Sequence, residues 1–197
     1  NVNSGVQFRS ISDPNINKGR VHGYQCEIES SPRKWAGGIY DEARRGWLYP
    51  LSVNPTGQEA FKRGEWNHYR IEAIGNSLRT WVNGIPCANL IDDMTSEGII
   101  AFQVHGIGNP EEAGREIKWK NIQIKTQNLE ADRTPMPTEV REISYLKNEL
   151  SEVEKAAGWQ LLWDGKTFSG WLDAKTMAAP ETGWKIDSGE LTVMKPN

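Results

Sequence analysis

Gln103 and His105 stand two residues apart in the run Gly98-Ile99-Ile100-Ala101-Phe102-Gln103-Val104-His105-Gly106. Alternation between bounding glycines predicts a strand with two unlike faces. Ile100, Phe102 and Val104 would face a core. Ala101, Gln103 and His105 would face outward, with neighbours roughly 6.5 Å apart. Imidazole suits proton transfer near neutral pH, and an amide beside it can hold a polar ligand. The same parity recurs in Val6-Gln7-Phe8-Arg9-Ser10, where Val6 and Phe8 share one face and Gln7 and Arg9 the other. It recurs again in His22–Glu29, with Tyr24, Cys26 and Ile28 apolar and Gln25, Glu27 and Glu29 polar. Laid side by side, the three strands gather amides, a carboxylate, a guanidinium and an imidazole, so Arg9, Glu27, Gln103 and His105 are expected to converge on one concave face.

The elements that must position these groups are mostly short strands. Asn3-Ser4-Gly5 reads as a turn ahead of the first. The stretch Ser31 to Phe61 reads as a long loop rich in aromatic residues, among them Trp35, Tyr40 and Trp47, with Arg33, Arg44 and Arg45 interleaved and one short strand, Gly37-Gly38-Ile39-Tyr40, between glycine bends. Loops of this length inside a domain are uncommon unless they serve a function, and the part of this one from Trp35 to Tyr49 is expected to form one wall of the polar cleft. His68–Ile74, Ser77–Val82 and Ile85–Ala88 read as a three-strand meander with Asn83-Gly84 as its hairpin turn. Its inward residues are Tyr69, Ile71, Ala73, Leu78, Thr80 and Val82. After a Gly/Asn/Pro loop from Gly106 to Gly114, Glu116–Ile124 alternates again as a closing strand. The fold class is therefore all-β, a sandwich or jelly roll over residues 1–126.

Pro135 and Pro137 mark a linker within residues 127–157, and Val140, Ile143, Leu146, Leu150, Val153 and Ala157 predict a helix over Thr138–Ala157 with a capping box at Ser151-x-x-Glu154. Residues 158–197 return to strand character, with Asp187-Ser188-Gly189 as a hairpin-like turn. That tail is too short to bury a core of its own. Its apolar residues are expected to pack on residues 1–126 of this or a neighbouring chain, or to belong to a second domain.

Composition excludes several function classes. Net charge is -3 with both signs interspersed, giving no electrostatic footprint for nucleic acid. Mean hydropathy is -0.64 and no apolar run approaches the ~20 residues that span a bilayer. Nine tryptophans and nineteen glycines fit many short strands, tight turns and ring-stacking surfaces. Cys26 and Cys87 match no paired-cysteine metal motif; they could form one disulfide, and two buried free thiols are the favoured expectation. The chain opens inside a motif without Met, so its natural start is expected upstream and the lack of a signal pattern carries no weight.

Asn3-Ser-Gly-Val-Gln-Phe-Arg9, Gly23-Tyr-Gln-Cys-Glu-Ile28, Gly37-Gly-Ile-Tyr40, Gly64-Glu-Trp-Asn67, Val82-Asn-Gly-Ile85 and Ile100-Ala-Phe-Gln-Val-His-Gly106 occur in an order that resembles the 3-keto-disaccharide hydrolase domain family. The resemblance covers about residues 1–126. It implies a concanavalin-like (laminarinase-like) jelly roll and a bacterial protein of sugar catabolism that is periplasmic or secreted. Gly158 to Met194 resembles the opening of the same domain, with Trp163 where the family pattern has Phe.

The resemblance also implies a substrate: an oligosaccharide or other glycoside already oxidised at C3. The ketone acidifies the C2 proton, so a base can remove it and the C1 substituent can leave. His105 is the expected base, Arg9 or a divalent cation the group that stabilises the enolate oxygen, and Glu27 the group that orients His105 or joins it as a metal ligand. No His-x-x-x-His or comparable metal spacing is present, so no metal site and no definite cofactor are assigned. Gln7, Gln25, Gln103, Trp35, Tyr40 and Trp47 are the expected sugar-binding set. A two-carboxylate glycosidase using Glu27 and Glu29 is disfavoured, because roughly 6.5 Å along a strand face exceeds the ~5–5.5 Å of retaining enzymes. A non-catalytic sugar-binding module is the stronger rival, since the same aromatic residues can stack on sugar rings with no chemistry following.

Overall fold

The computed structural model describes residues 3–108, 110 and 113–195. Two compact units divide it, Asn1–Ile143 and Ser144–Asn197. In the first, β1 (Asn3–Ile11) and β2 (His22–Glu29) form a long antiparallel pair, in register from Asn3↔Glu29 to Phe8↔Tyr24. With β3 (Ile39–Glu42), β4 (Gly46–Tyr49) and β8 (Ile99–Phe102) they make a five-stranded sheet of order β4-β3-β2-β1-β8. The expected meander is present as β5 (Tyr69–Ile74), β6 (Ser77–Val82) and β7 (Ile85–Ile91), and the two-residue β9 (Ile143–Ser144) follows β7 in this second sheet. Asn83 (φ 52) and Gly84 (φ 79) both lie in the left-handed region, as the tight hairpin turn requires.

The apolar faces of the two sheets make the core. Phe8, Tyr24, Cys26, Ile39, Leu48 and Tyr49 come from the first sheet and Leu78, Val82, Cys87, Ala88 and Leu90 from the second, with Tyr69, Ile71 and Ala73 packed against them. The all-β sandwich and the inward set of the meander are as the sequence predicts. Cys26 and Cys87 are free and buried. Burial pushes the Cys87 thiol up to about 12, so neither reads as a nucleophile.

Five sequence expectations give way. The stretch Ser31 to Phe61, expected as a loop with one short strand, carries both β3 and β4, because β3 pairs with β2 and β4 with β3. Asn3-Ser4-Gly5 is the start of β1, not a turn, and Gly5 serves there by leaving room: a Cβ would collide with the Gln25 side chain lying over it. Glu116–Ile124 forms no strand, and Ile122 and Ile124 are exposed. Alternation sorts the faces of a strand but does not supply the paired edge that holds one. Trp119 instead lies against Phe102, ring centroids 4.5 Å apart. Ile100, Phe102 and Val104, expected in the core, are accordingly exposed. The preceding Gly106–Gly114 loop falls partly outside the described residues.

The helix expected over Thr138–Ala157 shrinks to α2 (Glu152–Ala156), the second short helix after α1 (Pro55–Gln58). Ser151 and Glu154 cap α2 reciprocally, as expected. Upstream, the carbonyls of Val140 and Arg141 accept from the Asn89 amide and the Tyr49 hydroxyl, and Val140 is buried. Those tertiary bonds and the apolar contact hold the segment out of a helix.

In the second unit, β10 (Trp184–Asp187) and β11 (Glu190–Val193) form the expected hairpin around Ser188 (φ 50) and Gly189 (φ 74). Asn148 Nδ2 donates to the Gly189 carbonyl at 2.8 Å. Among the described residues of this unit no apolar side chain is fully buried, and Trp159, Trp171 and Trp184 are exposed. Among the described residues no helix is long and apolar enough to cross a membrane.

Candidate functional site

One cross-strand row runs the width of the five-stranded sheet on the face opposite the core. Register pairs Ala101 with Gln7, Gln7 with Gln25, Gln25 with Tyr40 and Tyr40 with Trp47. Because side chains on one face repeat every second residue, Glu27 and Gln103 belong to the adjoining positions on β2 and past β8. The sequence placed Gln7, Gln25, Glu27 and Gln103 on polar strand faces and Tyr40 and Trp47 in a loop beside them, and strand pairing puts all six on one surface.

The row grades from amide to aromatic. Gln7 and Gln25 are buried, at 4% and 1% exposure. Tyr40 and Trp47 are half-buried and meet edge to face with centroids 5.2 Å apart. Trp35 meets Trp47 at 4.8 Å and also packs on the core, so the aromatic segment does border this face. The Arg33 guanidinium sits 4.9 Å from the centroids of both Trp35 and Trp47.

Glu27 is the buried ionisable group at the centre, 3% exposed. Asn3 Nδ2 donates to its Oε1 at 2.6 Å, and Gln25 Nε2 donates to its Oε2 at 3.0 Å. Burial pushes its carboxyl pKa up and the charge of Glu29 adds to the rise, the bonds from Gln25 and Asn3 and the charge of Arg33 oppose it, and the net shift remains upward. Gln25 Nε2 also reaches Gln103 Oε1 at 3.4 Å, and Gln103 Nε2 donates to Glu42 Oε2 at 3.3 Å. Among the described residues Gln25 Oε1 is buried with no hydrogen-bond partner. A buried acceptor left unpaired costs about 1–3 kcal/mol.

Two expected members of the site are elsewhere. Arg9 has φ 46 and lies where the β1–β2 register shifts between Phe8 and Ile11. The irregularity breaks the period of two and re-aims the side chain. Its guanidinium donates to the carbonyls of Ala73 at 2.9 Å and Gly75 at 2.7 Å, across on the second sheet. His105 is exposed beyond the end of β8, its Nδ1 2.7 Å from the Gly106 carbonyl oxygen. The Gln103 N–H still donates to the Gly5 carbonyl at 2.9 Å, but no paired strand carries the alternation on to His105. The expected convergence of Arg9, Glu27, Gln103 and His105 therefore holds for Glu27 and Gln103 only.

Three residues of the site were not singled out from the sequence. Asn3 was assigned to a turn, although its parity with Gln7 is a usable signal once the strand is extended back. Glu42 shares parity with Tyr40 and pairs with Arg20. Arg33 follows Glu29 by four residues and donates Nε to Glu29 Oε2 at 2.7 Å. Among the described residues no group of three or more His, Cys, Asp or Glu side chains is arranged to hold a metal ion.

Residues 1–125 match the family model described as a 3-keto-alpha-glucoside-1,2-lyase-like domain. No curated protein sequence matches the chain significantly.

Proposed function

The chain belongs to the 3-keto-alpha-glucoside-1,2-lyase-like family, and on that premise we propose that it cleaves a 3-keto-glycoside by taking the C2 proton and expelling the C1 substituent, with Glu27 as the base. The observation that carries this reading is a buried carboxyl with an upward-shifted pKa beside the unpaired Gln25 Oε1. A carboxylate at its ordinary pKa is a weak base at neutral pH, and raising that pKa brings it toward the range where proton abstraction is effective. The lone pair of Glu27 takes the C2 proton. The C2–H electrons form C2=C3 and the ketone π electrons move to the C3 oxygen as an enolate. When the enolate collapses, C3=O re-forms, the C2=C3 pair becomes C1=C2, and the C1–O bond breaks with its electrons leaving on the departing oxygen, which takes up a proton. Addition of water across C1=C2 completes a net hydrolysis. Gln25 Oε1 accepts a sugar hydroxyl, and Tyr40 and Trp47 offer ring faces and edges to a pyranose.

The test follows a 3-keto-glucoside in deuterated buffer by NMR, with the wild type and with Glu27→Gln. Deuterium incorporation at C2 and release of the C1 substituent by the wild type, both lost in the variant, are expected. A wild type that neither exchanges C2 nor releases the substituent overturns the reading, and saturable binding without exchange would make the domain a sugar-binding module.

A further inference from the structure

Enolate chemistry needs a positive group beside the base, and with Arg9 on the other sheet the five-stranded face offers a different one. We propose that Arg33 is the electrophilic residue of this site, its Nη groups holding the C3 ketone oxygen and the enolate it becomes. The inference rests on the reading of Glu27 as the base.

Arg33 is built into place. Its Nε donates to Glu29 Oε2 at 2.7 Å. Glu29 is itself only 3% exposed and is fixed by the Trp35 N–H on Oε1 at 2.8 Å and the Ser31 hydroxyl on Oε2 at 2.8 Å. The guanidinium lies 4.9 Å from the ring centroids of both Trp35 and Trp47, so its plane is held by aromatic contact as well as by charge. Gln58 Nε2 pins the Arg33 carbonyl at 3.0 Å. All of these contacts use the Nε edge, the guanidinium faces or the backbone. Neither Nη donates a hydrogen bond among the described residues, and Nη2 stands 4.0 Å from Glu27 Oε1.

That separation is too long for a hydrogen bond and short enough for the two groups to share one small ligand group. In a 3-keto sugar the proton to be removed and the oxygen that gains charge sit on adjacent carbons, so base and cation must be near neighbours. Glu27 and Arg33 meet that requirement, and Trp47, which touches Arg33, also lies on the row that would carry the sugar ring. A cation held before the substrate arrives needs no reorganisation as the oxyanion forms. The side chain is 43% exposed, which leaves the Nη end open to a ligand.

Arg33→Gln and Arg33→Lys, each assayed with a 3-keto-glucoside, test the assignment. Loss of one preorganised oxyanion donor typically lowers kcat by about 10²–10³-fold. Arg33→Gln is expected to show that loss with KM changed by less than about threefold, with C2 deuterium exchange slowed in parallel, because enolate formation itself is impaired. Arg33→Lys, which keeps a charge, is expected to recover at least about tenfold of it. A kcat for Arg33→Gln within about threefold of wild type, C2 exchange at the wild-type rate, or a lysine variant no better than glutamine overturns the proposal. Should Arg33→Gln fail to unfold cooperatively, C2 exchange by Arg33→Lys decides alone, slowed exchange supporting the role and wild-type exchange ending it. Absence of exchange in the wild type would instead bring down the reading of Glu27, a separate result.

Discussion

Asp41 and Glu27 are buried carboxylates on opposite faces of one sheet, and their surroundings treat them in opposite ways. On the core side Asp41 is fully buried, taking Arg44 Nε on Oδ1 and Arg45 Nε on Oδ2, each at 2.6 Å. Arg45 continues to Asp92 at 2.7 Å, and the Tyr24 hydroxyl and the Met94 N–H complete that second carboxylate. Burial alone would raise the Asp92 pKa, but hydrogen bonds from Arg45 and Tyr24 overcome it and the net shift is downward. On the other face burial wins, and Glu27 is held above its ordinary value with an unpaired amide oxygen next to it. A network whose donors and acceptors are matched stabilises one arrangement of the chain. A network left with capacity can bind something. Fold and site on this sheet are thus separated by whether cations or neutral amides bond the carboxylate, and by whether the surrounding network leaves an acceptor unpaired among the described residues.

Breaking the matched cluster should have the largest effect. Arg45→Met leaves Asp41 and Asp92 short of their shared cation, and loss of one partner from a buried pair costs about 3–5 kcal/mol. Urea unfolding should show a midpoint lowered to match. Glu27→Gln should do the reverse, lowering kcat by about 10²–10⁴-fold while thermal stability holds or rises, because no charge then remains to be desolvated.

Glu27 and Asp92 separate by pH. The raised Glu27 pKa means that the native state binds its proton more tightly than the unfolded chain. Its contribution to stability therefore falls as pH rises from about 4.5 through the folded value, and Glu27→Gln should flatten that slope. Activity needs the carboxylate, so kcat should decline as pH falls through the same raised value. The lowered Asp92 pKa has the opposite sign: its stabilisation is present above about 3.9 and is lost only as pH falls through the still lower folded value. Turnover should accordingly fail at a higher pH than this clasp, which paired activity and circular-dichroism titrations would show.

Smaller effects sharpen the contrast. Trp47→Ala removes a ring from the aromatic end of the row and one of the two indoles that hold Arg33, so losing one aromatic contact worth about 0.5–1.5 kcal/mol should raise KM about two- to tenfold, with kcat falling by less than in Arg33→Gln. His105→Ala should be the mildest, with kcat/KM within about twofold of wild type, since the imidazole is exposed and faces its neighbour's carbonyl. A large loss there would restore the histidine to the site.

The amino-acid sequence by itself determined which side chains share a face. Period-two alternation is a property of each strand alone, so Gln7 on one strand, Gln25 and Glu27 on another and Gln103 on a third could be assigned to polar faces, and the turn at Asn83-Gly84 located, without coordinates; that Tyr40 and Trp47 extend the same row was decided by the pairing of β3 and β4. What alternation cannot report is where it stops. One irregular residue at Arg9 turned a predicted site guanidinium to the opposite sheet, and the end of β8 at Phe102 removed His105. The helix expected up to Ala157 shortened because Val140 and Arg141 found partners distant in sequence. Arg33 and Glu42 gained their places through space, from Glu29, two indoles, Arg20 and Gln103. The protonation behaviour of Glu27 and Asp92 was likewise decided only in the folded chain, because a pKa depends on burial and on which donors lie within a few ångströms, and neither is encoded by spacing along a strand.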